Sequence, residues 1–193
     1  EAVDLCVFAD DGSRETARYR LHGPDDGVFH GVLRGAQAGM LYGYRAQGDY
    51  RPDQGRCFNA NKLLLDPYTR AISGRFDWQD EHNGGLRDHP EGNRLPDPND
   101  NGQSALKSRV LANPGLAPGF SNRPRHARAD VVLYELHVKG FSMQLPGIPD
   151  ALRGTFAALA HPAAIAHFKK LGVTTLSLLP VQYSLSERHL SEK

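Results

Sequence analysis

Cysteine is nearly absent from this sequence of 193 residues, which contains only Cys6 and Cys57. A small fold stapled by disulfides needs several pairs, so this class of protein is excluded. We expect two unpaired, largely buried thiols of a protein in the reducing cytoplasm. A bridge between them stays open at this point, because both cysteines fall in the same predicted domain.

An excess of charge of one sign and long apolar runs are also lacking. Lys and Arg number 23 against 22 Asp and Glu, a formal net charge of +1, which gives no basic surface for nucleic acid or anionic lipid. No apolar stretch approaches the roughly 18 residues that span a bilayer, and the first residues lack the apolar core of a signal peptide. We therefore predict no nucleic-acid partner, no membrane association and a cytoplasmic location.

The common metal and nucleotide motifs are missing. The nine histidines include no H-x-x-x-H pair, and the sequence contains no G-x-S-x-G elbow and no phosphate-binding P-loop. Asp97, Asn99, Asn101 and Gly102 match the first half of a calcium loop, but Ser108 stands where the bidentate Glu is required. We expect no metal ion and no cofactor.

Residues 131–181 indicate a strand, a long loop, a helix and a second strand. The runs 131–134 and 173–179 are apolar and rich in β-branched residues, which is typical of parallel strands covered on both faces. The helix between them has Pro162 in its first turn and Gly172 at its C-terminal cap. Its apolar residues share one face: Ala164, Ile165, Phe168 and Leu171. This is the pattern of a βαβ unit.

Residues 1–77 alternate with period two, as strands of an antiparallel sheet do. Val3, Leu5 and Val7 fall on one face of the first strand, and residues 41–45 indicate another strand. Gly-rich breaks separate short strands, which predicts a β-sandwich. Residues 78–129 are rich in Asp, Asn, Gly and Pro with almost no apolar periodicity, and we predict an extended connection there.

Three segments give the sequence a family resemblance: VVLYELHVKGFS at 131–142, RGTFAALAHPAAIAHFKKLGVTTLSLLPV at 153–181 and GRCFNANKLLLDPYTRAISG at 55–74. They closely resemble glycogen debranching enzymes of the isoamylase type, in glycoside hydrolase family 13 of the α-amylase superfamily, and they follow one another along the chain in the order found in that family. Ser177, which stands where relatives usually have Glu, and residues 182–193 depart from the family pattern.

The resemblance implies a fold in three parts. An immunoglobulin-like β-sandwich of the isoamylase N-terminal, carbohydrate-binding type would occupy residues 1–77, followed by the extended linker at 78–129. Residues 130–193 would be the first βαβ unit of an incomplete (β/α)8 TIM barrel, with strands at 131–138 and 173–181. We also expect that the first strand or two of the sandwich are missing from the sequence.

The resemblance also implies a reaction, the retaining hydrolysis of α-1,6 branch linkages in glycogen or limit dextrin by two carboxyl groups. A (β/α)8 barrel needs roughly 250 residues, and the family's catalytic carboxylates lie on strands downstream of Lys193. We therefore assign no catalytic residue and expect this chain to be inactive by itself.

Candidate sugar contacts are the aromatic residues Tyr42, Tyr44 and Trp78, since aromatic rings stack on pyranose faces. Aromatics are also frequent in strands for packing reasons, which is the interpretation we prefer. The implied partner is an α-glucan: glycogen, limit dextrin or a maltooligosaccharide.

Two further groups of polar residues have a structural interpretation. Asn59, Asn61 and Lys62 are interpreted as residues of a turn and a domain interface, with Leu63 to Leu65 anchoring the segment in the core. Glu135 and His137 share a side of the first barrel strand and are assigned a structural role.

Two classes of function remain. The preferred one is a fragment of a debranching enzyme, because the run 173–179 is a strand suited to burial on both faces. The alternative is a stand-alone glucan-binding or regulatory module. Glycogen branching and trehalose-releasing enzymes are the other possible parents.

Overall fold

The computed structural model describes residues 1–86, 89–112 and 124–191, the last without its side chain. The described residues form two compact units. Unit 1 comprises residues 1–86, 89–112 and 187–191, and unit 2 comprises residues 124–186. Parts of the predicted linker and the last two residues of the predicted barrel segment lie outside the described residues.

Unit 1 is built on a five-stranded antiparallel sheet with the order β2-β1-β5-β9-β8. Two small hairpins, β3–β4 and β6–β7, accompany it. The strands are β1 Ala2–Phe8, β2 Glu15–Arg20, β3 His22–Asp25, β4 Val28–His30, β5 Leu41–Gln47, β6 Tyr50–Arg51, β7 Arg56–Cys57, β8 Ile72–Ser73 and β9 Lys107–Arg109. Short 3-10 helices span Pro52–Gln54, Asp80–His82 and Gly92–Arg94.

The core of unit 1 lies on one face of this sheet. It is formed by five buried residues from four parts of the chain: Cys6, Phe8, Leu41, Leu63 and Ala105. Cys6 pairs with Gly43 across the two central strands, and a Cβ at Gly43 would lie only 2.8 Å from Leu63. Glycine is therefore required at 43 because the 59–65 segment packs directly on the sheet. Leu63 anchors that segment as predicted, whereas Leu64 is half exposed.

The mainly β character predicted for the N-terminal part is confirmed, while the opposing layer of a sandwich stays a prediction. β9 comes from within the segment predicted as an extended linker and lies in the sheet between β5 and β8. Its residues Lys107, Ser108 and Arg109 give no apolar signal in the sequence, although the first two are buried.

Unit 2 contains two parallel strands with helices between them. β10 (Leu133–Leu136) pairs with β11 (Thr175–Leu178) in the register Leu133 opposite Thr175 and Leu136 opposite Leu178. The connection contains α1 (Val138–Met143), α2 (Phe156–Leu159) and α3 (Pro162–Lys170), with 3-10 helices at Arg128–Asp130 and Asp150–Leu152. A last short helix, α4 (Arg188–Ser191), belongs to unit 1. Assignment of the parallel pair to a barrel stays a prediction.

Helix α3 begins and ends where the sequence predicts. Pro162 is its first residue, and the Nδ1 atom of His161 accepts a hydrogen bond from the N–H of Ala163 at 3.3 Å. Gly172 takes the left-handed conformation, with φ of 71°, just after the helix. Ala164 and Phe168 are buried against β10 residue Leu136 in the core of unit 2.

The two cysteines are free thiols. Burial raises the pKa of the Cys6 thiol to about 11, which keeps it protonated. The prediction of a largely buried thiol is wrong for Cys57, which is exposed because it lies in the short β6–β7 ribbon outside the five-stranded sheet. In the part of the chain that the structure describes, no helix is long and apolar enough to cross a membrane.

Candidate functional site

Tyr42 and Tyr44 lie together on the sheet face opposite the core. Their rings meet edge to face with centroids 6.0 Å apart, because alternate residues of β5 point to the same side. The hydroxyl of Tyr42 donates to Oδ2 of Asp66 at 2.7 Å. Burial and this hydrogen bond both raise the pKa of Tyr42. The Tyr42 hydroxyl is thus committed to holding the 66–68 turn, which accords with a packing role.

Trp78 packs elsewhere in unit 1. Its ring lies edge-on to Phe76 at 5.0 Å, and Phe76 stacks on His82 at 4.7 Å. About a third of the Trp78 surface, 37%, stays exposed. The structure therefore brings Tyr42 and Tyr44 together and places Trp78 in a second aromatic group with Phe76 and His82.

A polar cleft of about 370 Å³ opens beside Trp78, since the neighbouring Asp77 and Gln79 both line it. We call it the Lys107 cleft. Its polar lining includes Asp11, Ser13, Arg75, Asp77, Gln103 and Lys107. Leu41 and Ala105 provide an apolar part of the wall. The sequence gives no signal for this site, because its residues come from four separate segments of the chain.

Buried cations are the second feature that the sequence did not reveal. Arg45, Lys62 and Lys107 are each at least 94% buried. Arg45 contacts Glu15 at 3.2 Å, Asp100 at 2.9 Å and the carbonyl of Ala60 at 2.8 Å. Burial of an ionised group is costly unless it is paired, and Arg45 meets this requirement.

Lys62 is paired as well. Its Nζ atom donates to Oδ2 of Asp97 at 2.7 Å and to the carbonyls of Glu81 and Asn99. Burial would raise the pKa of Asp97, but the hydrogen bonds from Lys62 and Asn99 outweigh it, so the pKa of Asp97 is lowered. This buried ion pair fixes the 97–101 segment against the 59–65 segment.

Asn59 and Asn61 act in the turn that leads to Lys62. The Oδ1 atom of Asn59 accepts from the N–H of Asn61 at 3.0 Å, and its Nδ2 atom donates to the carbonyls of Gly84 and Asp97. Asn101 in turn accepts from the N–H of Leu63 at 2.7 Å. The amide groups of these side chains therefore make hydrogen bonds within unit 1, in agreement with the predicted turn-forming role.

The partial calcium-loop pattern also serves the fold. Asp97 binds Lys62 and Asn99, and Asn101 binds Leu63, so these oxygens have partners within unit 1. Among the described residues, no group of three or more His, Cys, Asp or Glu side chains could hold a metal ion. The pattern is therefore explained by hydrogen bonding in a tight turn.

In unit 2, His137 is the cap of a helix. Its Nδ1 atom accepts from the N–H of Gly140 at 3.0 Å, at the start of α1. Glu135 is exposed on β10, opposite Ser177 of β11.

Comparison with known proteins supplies the family. Residues 1–69 match the model of carbohydrate-binding module 48, the isoamylase N-terminal domain. The chain is 42% identical over 193 residues to glycogen debranching enzymes of Salmonella typhi and Salmonella paratyphi B, with 98% of the chain matched. It spans only 28% and 27% of the length of these two relatives.

Solved structures show the same fold. A pullulanase of Bacillus acidopullulyticus superimposes with a TM-score of 0.62, covering 94% of this chain and 19% of that one, at 20% identity. The pullulanase of Paenibacillus barengoltzii in complex with maltohexaose and α-cyclodextrin gives 0.61, covering 93% and 24%. PulA of Klebsiella pneumoniae in complex with maltotriose gives 0.60, covering 94% and 18%. The chain is thus a homologue of the glycogen debranching enzymes that matches their N-terminal portion, and its residues 1–69 match the carbohydrate-binding module 48 family.

Proposed function

We propose that this chain is the N-terminal part of a hydrolase that removes α-1,6-linked branches from glycogen or limit dextrin. The observation that carries the proposal is the 42% identity to glycogen debranching enzymes, which extends over 98% of the chain and therefore over both units. Unit 2 then corresponds to the start of the (β/α)8 barrel. The parallel pairing of β10 with β11, with α3 in the connection, supports this assignment.

The reaction would be a retaining hydrolysis. A carboxylic acid protonates the leaving glycosidic oxygen while a carboxylate about 5 Å away attacks the anomeric carbon, and water then hydrolyses the glycosyl-enzyme. Both carboxyl groups are expected beyond residue 193, on later strands of the barrel. Of the present residues, unit 2 would contribute the first two barrel strands and no catalytic group.

Unit 1 would bind α-glucan weakly. The module 48 match and the complexes of related pullulanases with maltotriose and maltohexaose support an α-glucan ligand. Tyr42, Tyr44 and Trp78 are each only partly buried, and their rings would be the stacking surfaces. We expect a dissociation constant in the millimolar range, which corresponds to a binding free energy of no more than about 4 kcal/mol. The two free thiols support a reducing, cytoplasmic compartment.

A stand-alone glucan-binding or regulatory module is the second candidate, and a specific observation favours it: unit 1 has its own five-stranded sheet and core. The parent could also be a glycogen branching or trehalose-releasing enzyme.

An activity and binding experiment separates these candidates. The purified chain is incubated with glycogen and with limit dextrin, and reducing ends are measured against a heat-treated sample. We expect no turnover, because a closed barrel is needed to hold two carboxyl groups at the required distance. Turnover that survives removal of contaminating amylases would contradict the proposal.

Calorimetry with maltoheptaose provides the second readout. Weak, millimolar binding is the expected result. Micromolar binding that is abolished by Tyr44→Ala or Trp78→Ala, with the fold intact, would favour the stand-alone module.

A further inference from the structure

Lys107 differs from the other buried cations of the described residues in having no carboxylate partner. Arg45 and Lys62 each form a salt bridge with at least one Asp or Glu side chain. The Nζ atom of Lys107 instead donates to the backbone carbonyl of Gln103 at 2.9 Å and lies 5.1 Å from the centre of the Phe8 ring. Burial lowers the pKa of Lys107.

This ammonium group lies at the Lys107 cleft, to which it can offer further hydrogen bonds. An ammonium has three donors, of which the structure uses one on Gln103. The stem of Lys107 passes Gly12, where a Cβ would lie 3.7 Å from Cδ and 3.8 Å from Cε of the lysine. The left-handed backbone of Gly12, with φ of 74°, keeps a larger side chain out of this position.

The remaining charges of the cleft decide which ligand suits it. Arg75 adds a second positive charge, but Asp11 and Asp77 bring two carboxylates, so the four charges cancel. Asp77 pairs with Arg75 at 3.3 Å. Asp11 uses Oδ1 for both bonds from Ser13. A phosphate or carboxylate would be repelled by the two carboxylates, whereas hydroxyl groups can accept from an ammonium and donate to a carboxylate at once.

We propose that the Lys107 cleft is a glucosyl-binding subsite in which Lys107 donates to a sugar hydroxyl and Asp11 accepts from a neighbouring one. The ligand class is a neutral polyol, specifically a glucosyl unit of an α-glucan. This inference rests on the proposed function, in which unit 1 binds glucan. It adds a separate subsite, on the opposite side of the sheet from the Tyr42 and Tyr44 rings.

The test is an NMR titration of the whole chain with maltoheptaose. We expect saturable shifts of the backbone amides of Gly12, Gly74 and Ala105, which surround the cleft. Lys107→Met keeps the stem but removes the donors, and the affinity should fall roughly ten-fold, the effect of about 1.4 kcal/mol. Lys169→Met, the same change at an exposed lysine of α3, is the matched control and should leave the affinity unchanged.

Asp11→Asn provides a second variant at an exposed rim position. Its Oδ1 atom can still accept from Ser13, so the fold is retained, while the charged acceptor is lost. We expect weaker maltoheptaose binding with the same amides shifted. This variant keeps the inference testable even when Lys107→Met does not fold.

Three outcomes would overturn the inference. Binding that shifts amides around Tyr42 and Tyr44 and is insensitive to Lys107→Met would refute the Lys107 subsite while leaving glucan binding intact. The absence of any saturable binding would refute both. A parallel titration in which inorganic phosphate binds the same amides more tightly than maltoheptaose would refute the polyol assignment alone.

Discussion

The two units of this chain differ in how far the apolar residues of their strands are buried. In unit 1 the central strands bury Cys6 and Leu41 almost completely, at 0% and 2% exposure. In unit 2 the strand residues Leu133 and Leu176 stay 62% and 39% exposed. A parallel sheet is normally covered on both faces. The core face of the unit 1 sheet is thus covered, whereas the apolar strand residues of unit 2 are left partly exposed.

The helices of unit 2 lead to the same conclusion. Ala164 and Phe168 of α3 are buried, but Ile165, on the apolar face predicted from the sequence, is 41% exposed. Leu171, just after the helix, is 50% exposed. The same α3 thus has more apolar surface than the two strands of unit 2 can cover. This is the arrangement expected for the first part of a barrel.

The largest loss of stability is expected in unit 2, from the substitution Phe168→Ala. Phe168 is 93% buried and stacks on Phe141 at 4.8 Å, in the core that it forms with Leu136 and Ile148. Loss of a buried Phe costs about 3–5 kcal/mol, enough to unfold a unit with only a two-stranded sheet. We expect unit 2 to lose its amide protection, measured by hydrogen exchange at Leu136 and Ala164.

Trp78, the single tryptophan, provides the control, because it lies in unit 1. Its fluorescence transition in urea should be unchanged by Phe168→Ala. A Trp78 transition that shifts together with unit 2 would show that the two units unfold as one, and the contrast between them would be lost.

Much of unit 2 could be predicted from its sequence, and much less of unit 1. Apolar periodicity with Pro162 and Gly172 located α3 almost to the residue. The apolar runs located β10 and β11, although both strands are shorter than the predicted 131–138 and 173–181, and α1 and α2 lie where a long loop was predicted. These signals are local. The face of β1 that forms the core carries Asp4 and Cys6, and its partner strand carries Gly43 and Arg45, which do not form an apolar pattern.

The Lys107 cleft and β9 were missed for a related reason. Lys107 and Ser108 are polar residues in a segment with the composition of a linker, and they are buried only because β9 pairs with β5 and β8 from distant parts of the chain. The sequence likewise could not reveal that Lys62 and Asp97, 35 positions apart, form an ion pair. Long-range pairing of polar groups leaves no local periodicity.

A second large effect is expected in unit 1 from Lys62→Met. The substitution leaves Asp97 buried without its counter-ion, which costs about 3–5 kcal/mol. The midpoint of the Trp78 fluorescence transition in urea should fall accordingly. The double variant Lys62→Met with Asp97→Leu should recover only part of the loss. It leaves no unpaired charge, but the carbonyls of Glu81 and Asn99 lose their bond from Lys62, and Asn99 loses its bonds to Asp97. A single variant as stable as the original would contradict the role of this pair.

A smaller loss of stability is expected in unit 1 when the pH is lowered. The pKa values of Asp97 and Asp100 are lowered, since the bonds from Lys62 and Arg45 outweigh the effect of burial. Groups with a lowered folded pKa stabilise the protein above their unfolded pKa, near 4, and this stability is lost as the pH falls through the folded pKa. Unit 1 should lose on the order of 1 kcal/mol between pH 5 and pH 3, with Asp100 discounted because it is largely exposed.

Urea titrations at the two pH values, followed by Trp78 fluorescence, measure this loss. In unit 2 the pair of Arg153 and Asp150 is at the surface, where an ion pair contributes little, so its stability should change less. Hydrogen exchange at Leu136, measured at the same two pH values, reports the stability of unit 2. A larger loss in unit 2 than in unit 1 would contradict the contrast between a core with buried ion pairs and one without.

Native-state hydrogen exchange of the whole chain, in a monomer, decides whether unit 2 is part of a larger fold or complete by itself. It compares the amides of residues 41–44, in the centre of the unit 1 sheet, with those of residues 176–179. We predict slower exchange at 41–44 by at least about 100-fold, because opening of a two-stranded sheet exposes little additional apolar surface. Equal or greater protection at 176–179 would show that the parallel pair is complete as it stands, and would contradict the account.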